Sequence, residues 1–161
     1  MPKFIFIISS IIFLSFSSYA WSFTAYVLRV EDGNTIAVCE NKNKTEPVML
    51  LRLYGIDAPT RGQPFGNEAR QYLMNMLPIG SKVTVDIMGD ADKEGAKIAM
   101  VQAKNTSVNY QLLVEGYAWV NRSSCKAIFC RRWLIQEHRA NQLQKGVWSI
   151  NTGTPPWQWG R

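Results

Sequence analysis

The chain of 161 residues has only one histidine, His138, and only three cysteines, Cys39, Cys125 and Cys130. No grouping of these residues has the spacing of a zinc site, so the sequence gives no support to a zinc enzyme or a zinc finger. The chain also lacks internal repeats and low-complexity tracts, which excludes a solenoid. With 47% hydrophobic and 19% charged residues, the composition is typical of one globular domain.

The only long apolar run lies near the N-terminus, over residues 4–16, and is too short for a comfortable membrane span. Lys3 precedes this run, and the small residues Ser18 and Ala20 stand at the third and first positions before a cut after Ala20. This pattern predicts a cleaved secretory signal peptide; an uncleaved anchor is the alternative. The predicted organisation is a signal peptide over 1–20, one domain over 21–148 and an extended Pro/Trp-rich tail over 149–161. We therefore expect a secreted or periplasmic protein with no stable membrane anchor after cleavage.

Acidic residues are in the minority, with 12 Asp and Glu against 18 Lys and Arg, a formal net charge of +6 and a pI near 9.4. Such a charge favours an anionic partner, either nucleic acid, another polyanion such as a polysaccharide, or a membrane surface. Export also permits disulfides, and the obvious pair is Cys125 with Cys130. Cys39 lies in a strand-like run and is expected to be a buried thiol.

Alternating apolar residues and turn signals predict three strands, a helix, two strands and two helices. The predicted strands are 23–30, 35–39, 48–54, 82–88 and 97–103, with a brief extended segment at 117–120. The predicted helices are 67–77, 108–115 and 127–144. This order is that of a five-stranded OB-type barrel, so the predicted fold class is α+β, mainly a β barrel.

The last predicted helix has apolar residues at helical spacing, and we expect them to form part of its buried stripe. These residues are Ile128, Trp133, Leu134, Ala140 and Leu143.

Two loops concentrate the residues suited to chemistry: 32–35 at the first hairpin, and the segment that runs from Arg52 to Pro59. Arg52, inside an apolar strand, offers a planar fork suited to a phosphate. Asp57 could hold a hard cation through its oxygens. A buried ion pair for Arg52 and a turn-capping role for Asp57 remain open alternatives.

Several stretches of the sequence together carry a family resemblance: VEDGNT at 30–35, RLYGIDAP at 52–59, QPFGNEA at 63–69, LVEGYAWV at 113–120, KGVW at 145–148 and PPW at 155–157. The chain resembles the staphylococcal nuclease, or thermonuclease-like, family over nearly all of residues 21–161. The resemblance implies a five-stranded barrel with three helices and, in active members, calcium-dependent phosphodiester hydrolysis of DNA or RNA. It also implies a site in which two aspartates and a backbone carbonyl bind calcium, a glutamate acts on the attacking water, and two arginines brace the phosphate.

Compared with the family residue by residue, this sequence has only part of that site. Arg52 is present for the phosphate, and Asp57 and the backbone carbonyl of Ala58 are present for calcium. Three positions of the family site are substituted: Asn34 replaces the second aspartate, Thr60 replaces the glutamate and Ala96 replaces the second arginine. Asn34 removes one of two charges from the metal site, Thr60 cannot act as a base near neutral pH, and Ala96 has no cation. We therefore expect weak or absent calcium binding and little hydrolysis.

Neighbouring residues offer little compensation. Lys97 follows Ala96, but successive strand residues point to opposite faces of a sheet. Arg61 could add positive charge beside Thr60, whereas Glu68 suits the first turn of a helix better than the role of the missing base. In the tail, Trp157 and Trp159 could stack on bases or fold back over the barrel.

The sequence thus favours a degenerate nuclease relative that binds nucleic acid or another polyanion. The basic residues that could supply contacts are Arg61, Lys93, Lys97, Lys104, Arg122, Arg131 and Arg132. Two alternatives stay open: an active calcium-dependent endonuclease with a rearranged site, and a secreted or periplasmic interaction scaffold.

Overall fold

A computed structural model of the chain describes residues 22–43, 46–149 and 154–159. The predicted signal peptide at 1–20 lies outside these residues. Within them, no helix combines the length and the apolar character needed to cross a bilayer.

The described residues form eight strands and three α-helices. The strands are β1 (Ser22–Asp32), β2 (Thr35–Cys39), β3 (Met49–Leu53), β4 (Ile56–Asp57), β5 (Lys82–Ala91), β6 (Lys97–Ala103), β7 (Thr106–Ser107) and β8 (Trp119–Val120). The helices are α1 (Gly66–Met76), α2 (Val108–Val114) and α3 (Cys130–Gln142). The tail, predicted to be extended, instead contains a 3-10 turn over Pro156–Gln158.

Five of the strands close into a barrel in the order β3-β2-β1-β5-β6, and a parallel pairing of β3 with β6 forms the seam. This confirms the predicted five-stranded barrel with three helices. Buried residues alternate along β3, β5 and β6, as the sequence pattern predicts, whereas all five residues of β2 are buried. Those that are at most 1% exposed include Val27, Ile36, Leu51, Leu53, Val85 and Val101.

The amide of Asn109, at the start of α2, joins that helix to the barrel. Its nitrogen donates to the carbonyls of Tyr54 and Ala99, both at 3.1 Å, and its oxygen accepts from the backbone N–H of Val101 at 3.0 Å. Asn109 is fully buried, and these bonds satisfy its polar atoms as burial requires. The strand end that carries Tyr54 is therefore held in place from inside the protein.

No strand was predicted between Tyr54 and the first helix, but this segment begins with the two-residue strand β4. Ile56 pairs with Val120 and Asp57 pairs with Trp119 of β8. Two residues are too few to show a period of two in the sequence, so this ladder could not be predicted. The ladder places Asp57 beside the segment that leads into α3.

The sequence prediction for α3 was wrong at both ends of the helix. The helix begins at Cys130, three residues later than expected, and its buried residues are Cys130, Trp133, Glu137 and Ala140. Ile128 is 87% exposed and Leu143 is 59% exposed. A charged residue therefore occupies the buried stripe, while apolar residues expected on it face solvent.

Cys125 and Cys130 lie at disulfide-bonding distance, with Cα atoms 5.8 Å apart. Gly55 packs directly beneath this pair, and a Cβ at Gly55 would lie 2.7 Å from the sulfur of Cys125. The hydroxyl of Tyr54 accepts from the backbone N–H groups of Lys126 and Ala127, at 3.0 and 3.3 Å. The segment before α3 is therefore fixed against Tyr54 and Gly55, just before β4.

Reduction of the Cys125–Cys130 pair is expected to lower the free energy of unfolding by about 2 kcal/mol, because the bond closes only a short loop. Denaturant melts with and without reductant measure this change. A Cys125→Ser/Cys130→Ser variant is the control and should not respond to reductant. Alkylation of both thiols in the native, non-reduced protein would contradict the pairing.

Candidate functional site

The first hairpin and β4 bring Asn34 and Asp57 together. Gly33 makes this approach possible, since a Cβ there would lie 2.8 Å from the Cβ atoms of both Ala58 and Ala69. Asn34 is 1% exposed, and its side-chain nitrogen donates to Oδ1 of Asp57 at 3.3 Å and to the carbonyl of Ile56 at 3.5 Å. Two positions separated by 23 residues thus meet in one site.

The side-chain atoms at this site do not fit calcium as ligands. A hard cation needs several oxygen ligands, preferably anionic ones. Asn34 directs its N–H group at Asp57, and its oxygen accepts from the hydroxyl of Thr35 at 3.4 Å. Oδ1 of Asp32 accepts from the backbone N–H of Asn34 at 2.9 Å, which is a turn-capping role. Within the described residues, no group of three or more acidic, His or Cys side chains is placed to hold a metal.

Asp57 is a largely buried carboxyl group with a perturbed pKa. Burial raises the pKa of Asp57 to about 6, against an ordinary value of 3.8. The positive charge of Arg52 and the hydrogen bond from Asn34 lower this pKa, and the negative charge of Asp32 raises it further. The desolvation cost of the ionised form outweighs the partners that stabilise it.

Arg52 does not present a free fork to a phosphate. Its Nε donates to Oδ2 of Asp92 at 2.6 Å, and its NH2 group donates to Oε2 of Glu94 at 2.5 Å. Burial alone would lower the pKa of Arg52, but Asp92, Asp32 and Glu94 raise it above its usual value. Arg52 therefore forms the ion pair that was left open as its alternative role, but this pair is only partly buried.

Asp92 also closes the β5–β6 hairpin. Its Oδ1 accepts from the backbone N–H groups of Glu94 at 2.9 Å and of Ala96 at 3.0 Å. Although burial raises the pKa of Asp92, the bonds from Arg52 and from these two N–H groups hold it below its usual value. The sequence reasoning missed Asp92 and Glu94, and the only available signal was the pair of acids in the hairpin before β6.

Among the residues that the structure describes, no hydrogen bond or ion pair brings a carboxylate to Thr60 or a cation to Ala96. Ala96 is 1% exposed, whereas the next residue, Lys97, faces solvent. The backbone N–H of Thr60 donates to Oε1 of Gln63 at 2.9 Å, which stabilises the loop before α1. Glu68 is exposed in the first turn of α1, a position favoured by the helix dipole.

Glu94→Gln is expected to raise the affinity for a single-stranded oligonucleotide about fivefold, because it removes the exposed competitor for the Arg52 fork. Fluorescence anisotropy with a labelled oligonucleotide measures the change. Asp90→Asn is the matched control, since it removes one exposed negative charge from β5 without touching Arg52. Equal gains in the two variants would mean that only net charge matters.

A trough of about 670 Å³ lies between the end of β8, α3 and the tail. Trp119, Arg122, Glu137, Trp148 and Trp157 are among the residues that line it. The rings of Trp119 and Trp148 meet edge to face, with centroids 5.3 Å apart. Trp157 therefore folds back toward the barrel, which is the second of the two roles considered for it.

Comparisons with known proteins agree with this architecture. Residues 50–150 match the profile of a family described as "Staphylococcal nuclease homologue". A micrococcal nuclease from Shigella flexneri is 31% identical over 164 residues, an alignment that covers 96% of this chain and 90% of the relative. Protein ParB from Escherichia coli is 34% identical over 157 residues, covering 90% of this chain and 84% of the relative.

A probable staphylococcal-like nuclease from Oryza sativa subsp. japonica is 29% identical over 131 residues, which is 81% of this chain. The chain spans only 33% of that longer protein. The family profile covers Arg52, Asp57, Thr60 and Ala96, but it starts after the hairpin that carries Asn34.

Proposed function

Because this chain belongs to the staphylococcal nuclease family, we propose that it is an exported, degenerate member that binds nucleic acid or another polyanion with little or no phosphodiester hydrolysis. The observation that carries this proposal is the replacement of three of the five side chains used by the family's chemistry, at Asn34, Thr60 and Ala96. The contacts of these residues within the described chain support it, since they bring no carboxylate to Thr60 and no cation to Ala96.

Each replacement removes a separate physical requirement of the reaction. The attacking water needs a base with a suitable pKa, and Thr60 has only a hydroxyl. The charge that develops on the phosphate needs fixed cations, but Ala96 has none and Arg52 is engaged by Asp92 and Glu94. Asn34 gives the site an N–H donor where a cation would need an oxygen.

Binding of a polyanion requires less than catalysis does. The seven basic residues named from the sequence all lie at the surface: Arg61, Lys93, Lys97, Lys104, Arg122, Arg131 and Arg132. Such residues bind phosphates mainly by releasing counterions, so affinity should fall steeply with salt. Nucleic acid is the leading ligand because the family and the charge both favour it.

An active calcium-dependent endonuclease is the second candidate function. It is favoured by the retained Arg52 and Asp57 and by the relative named as a micrococcal nuclease, which this chain matches over 90% of that relative's length. An interaction scaffold, in which the barrel only presents a surface, is the third.

Three measurements on the same purified protein test the proposal. We expect no calcium-dependent cleavage of single-stranded or duplex DNA above the level of an Arg52→Ala variant, with an active family member as the positive control. We also expect salt-sensitive oligonucleotide binding and almost no rise in melting temperature with calcium. Calcium-dependent cleavage that Arg52→Ala abolishes would establish the endonuclease instead. Absence of both cleavage and binding would favour the scaffold.

A further inference from the structure

The net positive charge of the chain is confined to its C-terminal part. Residues 1–115 contain eleven basic and eleven acidic residues, whereas residues 116–161 contain seven basic residues and a single acid, Glu137. Glu137 is 5% exposed, and it accepts from the backbone N–H of Val120 and from Arg122, both at 2.8 Å. The carboxylate of the only acidic residue in this part is therefore buried and hydrogen-bonded within the fold.

The outer face of α3 combines this charge with exposed apolar side chains. Arg131, Ile135 and Arg139 follow one another at four-residue steps along the helix, so they lie on one face. Ile128 lies outside the helix, in the turn just before Cys130, and Arg132 lies three residues before Ile135 on the helix. All five are exposed, with Ile128 at 87% and Ile135 at 63%. We call these five residues the α3 outer face.

The face is neither neutralised nor covered within the described chain. No carboxylate of the described residues forms an ion pair with any of the three arginines of this face. The helix is held from its opposite side, where Trp133, Glu137 and Ala140 are buried. Arg131, Arg132 and Arg139 are therefore available to an external anion, and the isoleucines project beside them.

This chemistry fits a surface that is both anionic and apolar beneath its charged layer. Basic side chains are attracted to anionic headgroups, and isoleucines gain by entering the boundary between headgroups and acyl chains. A nucleic acid backbone would pair with the arginines but would leave both isoleucines in water. A second copy of the same face would bring six arginines together without an acid to balance them.

We propose that the α3 outer face docks this protein on an anionic phospholipid surface. The contact is peripheral, with the arginines at the level of the headgroup phosphates and Ile128 and Ile135 inserted just below them. None of its residues belongs to the candidate nuclease site around Arg52 and Asp57, but Arg131 and Arg132 are two of the seven basic residues named above as contacts for a polyanion.

Vesicle co-sedimentation tests the proposal, using the chain from Trp21 onward, which contains every described element of the fold. The shortened chain avoids the N-terminal apolar segment, which would itself bind lipid if it remained attached. Vesicles of phosphatidylcholine mixed with phosphatidylglycerol are compared with vesicles of phosphatidylcholine alone. We expect binding only to the anionic vesicles.

Two variants separate the two components of the contact. Arg131→Gln/Arg132→Gln/Arg139→Gln should weaken binding about a hundredfold, roughly fivefold for each basic side chain. Ile128→Ser/Ile135→Ser should weaken it about tenfold with no change in charge. The controls are Lys42→Gln/Lys82→Gln, two lysines exposed elsewhere, and Ile79→Ser, an isoleucine that is 77% exposed before β5.

Both controls should bind like the parent chain, and unchanged melting temperatures show that the variants fold. Failure of the parent chain to bind anionic vesicles overturns the proposal, as does equal weakening by the lysine control. Binding of the same variants to a duplex oligonucleotide is measured in parallel. If the arginine variant loses duplex binding while the isoleucine variant keeps full vesicle binding, the face is a nucleic-acid surface instead.

Discussion

Restoring the three missing side chains together, as Asn34→Asp/Thr60→Glu/Ala96→Arg, is expected to produce calcium-dependent cleavage of DNA at least about a hundredfold above background. Each single substitution should stay near background, because metal, base and phosphate clamp stabilise one transition state and act as a unit. Arg52 and Asp57 already supply the remaining side chains. Cleavage of a labelled single-stranded substrate with calcium or with a chelator measures the gain.

Glu94 gives this experiment an internal check. Since Glu94 holds one arm of the Arg52 fork at 2.5 Å, adding Glu94→Gln to the triple variant should increase cleavage further. Adding Arg52→Ala should abolish it. A folded triple variant without activity would mean that the loops no longer place these residues for hydrolysis. Strong activity in the unmodified chain, lost with Arg52→Ala, would overturn the degenerate-site proposal directly.

Asp57→Asn is expected to stabilise the protein by up to about 2.5 kcal/mol more at about pH 7.5 than at about pH 4. The pKa of Asp57 is raised to about 6 in the folded protein, so the folded state holds its proton more tightly than the unfolded state does. The wild-type chain therefore loses stability as pH rises from the ordinary pKa toward 6. Asparagine keeps an oxygen to accept from Asn34 and carries no charge at either pH.

Denaturant melts of the parent chain and the variant at both pH values, with a chelator present, measure this difference. Asp90→Asn is the control, because it makes the same substitution at an exposed position on β5, and it should stabilise the protein much less than Asp57→Asn does. An Asp57→Asn variant that is less stable than the parent at pH 7.5 would show that the ionised carboxylate stabilises the fold.

The barrel could be predicted from the sequence because its strands alternate over five or more residues and end at recognisable turns. Residues 35–39 and 97–103 were predicted with the bounds they have as β2 and β6. The short pairs β4, β7 and β8 lack such a pattern. The buried stripe of α3 was predicted correctly at Trp133 and Ala140. It was missed at Glu137, because a backbone N–H and Arg122 stabilise this carboxylate there.

The positions of the candidate site could also be predicted, since they follow from the family motifs. Their interactions could not be. The partners of Arg52 lie 40 and 42 residues away, and only the closed barrel seam brings the β5–β6 hairpin to β3. The direction of the Asn34 amide is likewise decided by tertiary contacts, with Asp57, Ile56 and Thr35.

The Arg52–Asp92 pair affects how much a motif match says about activity. Arg52 lies on β3 and pairs across the seam with Ile98 of β6, while Asp92 fastens the hairpin that leads into β6. An arginine at this position therefore contributes to closing the barrel whether or not any phosphate is bound. In relatives with the same acids in this hairpin, counting that arginine as a surviving catalytic residue would overestimate the number of working nucleases. The residues at positions 60 and 96 would better separate active from inactive members.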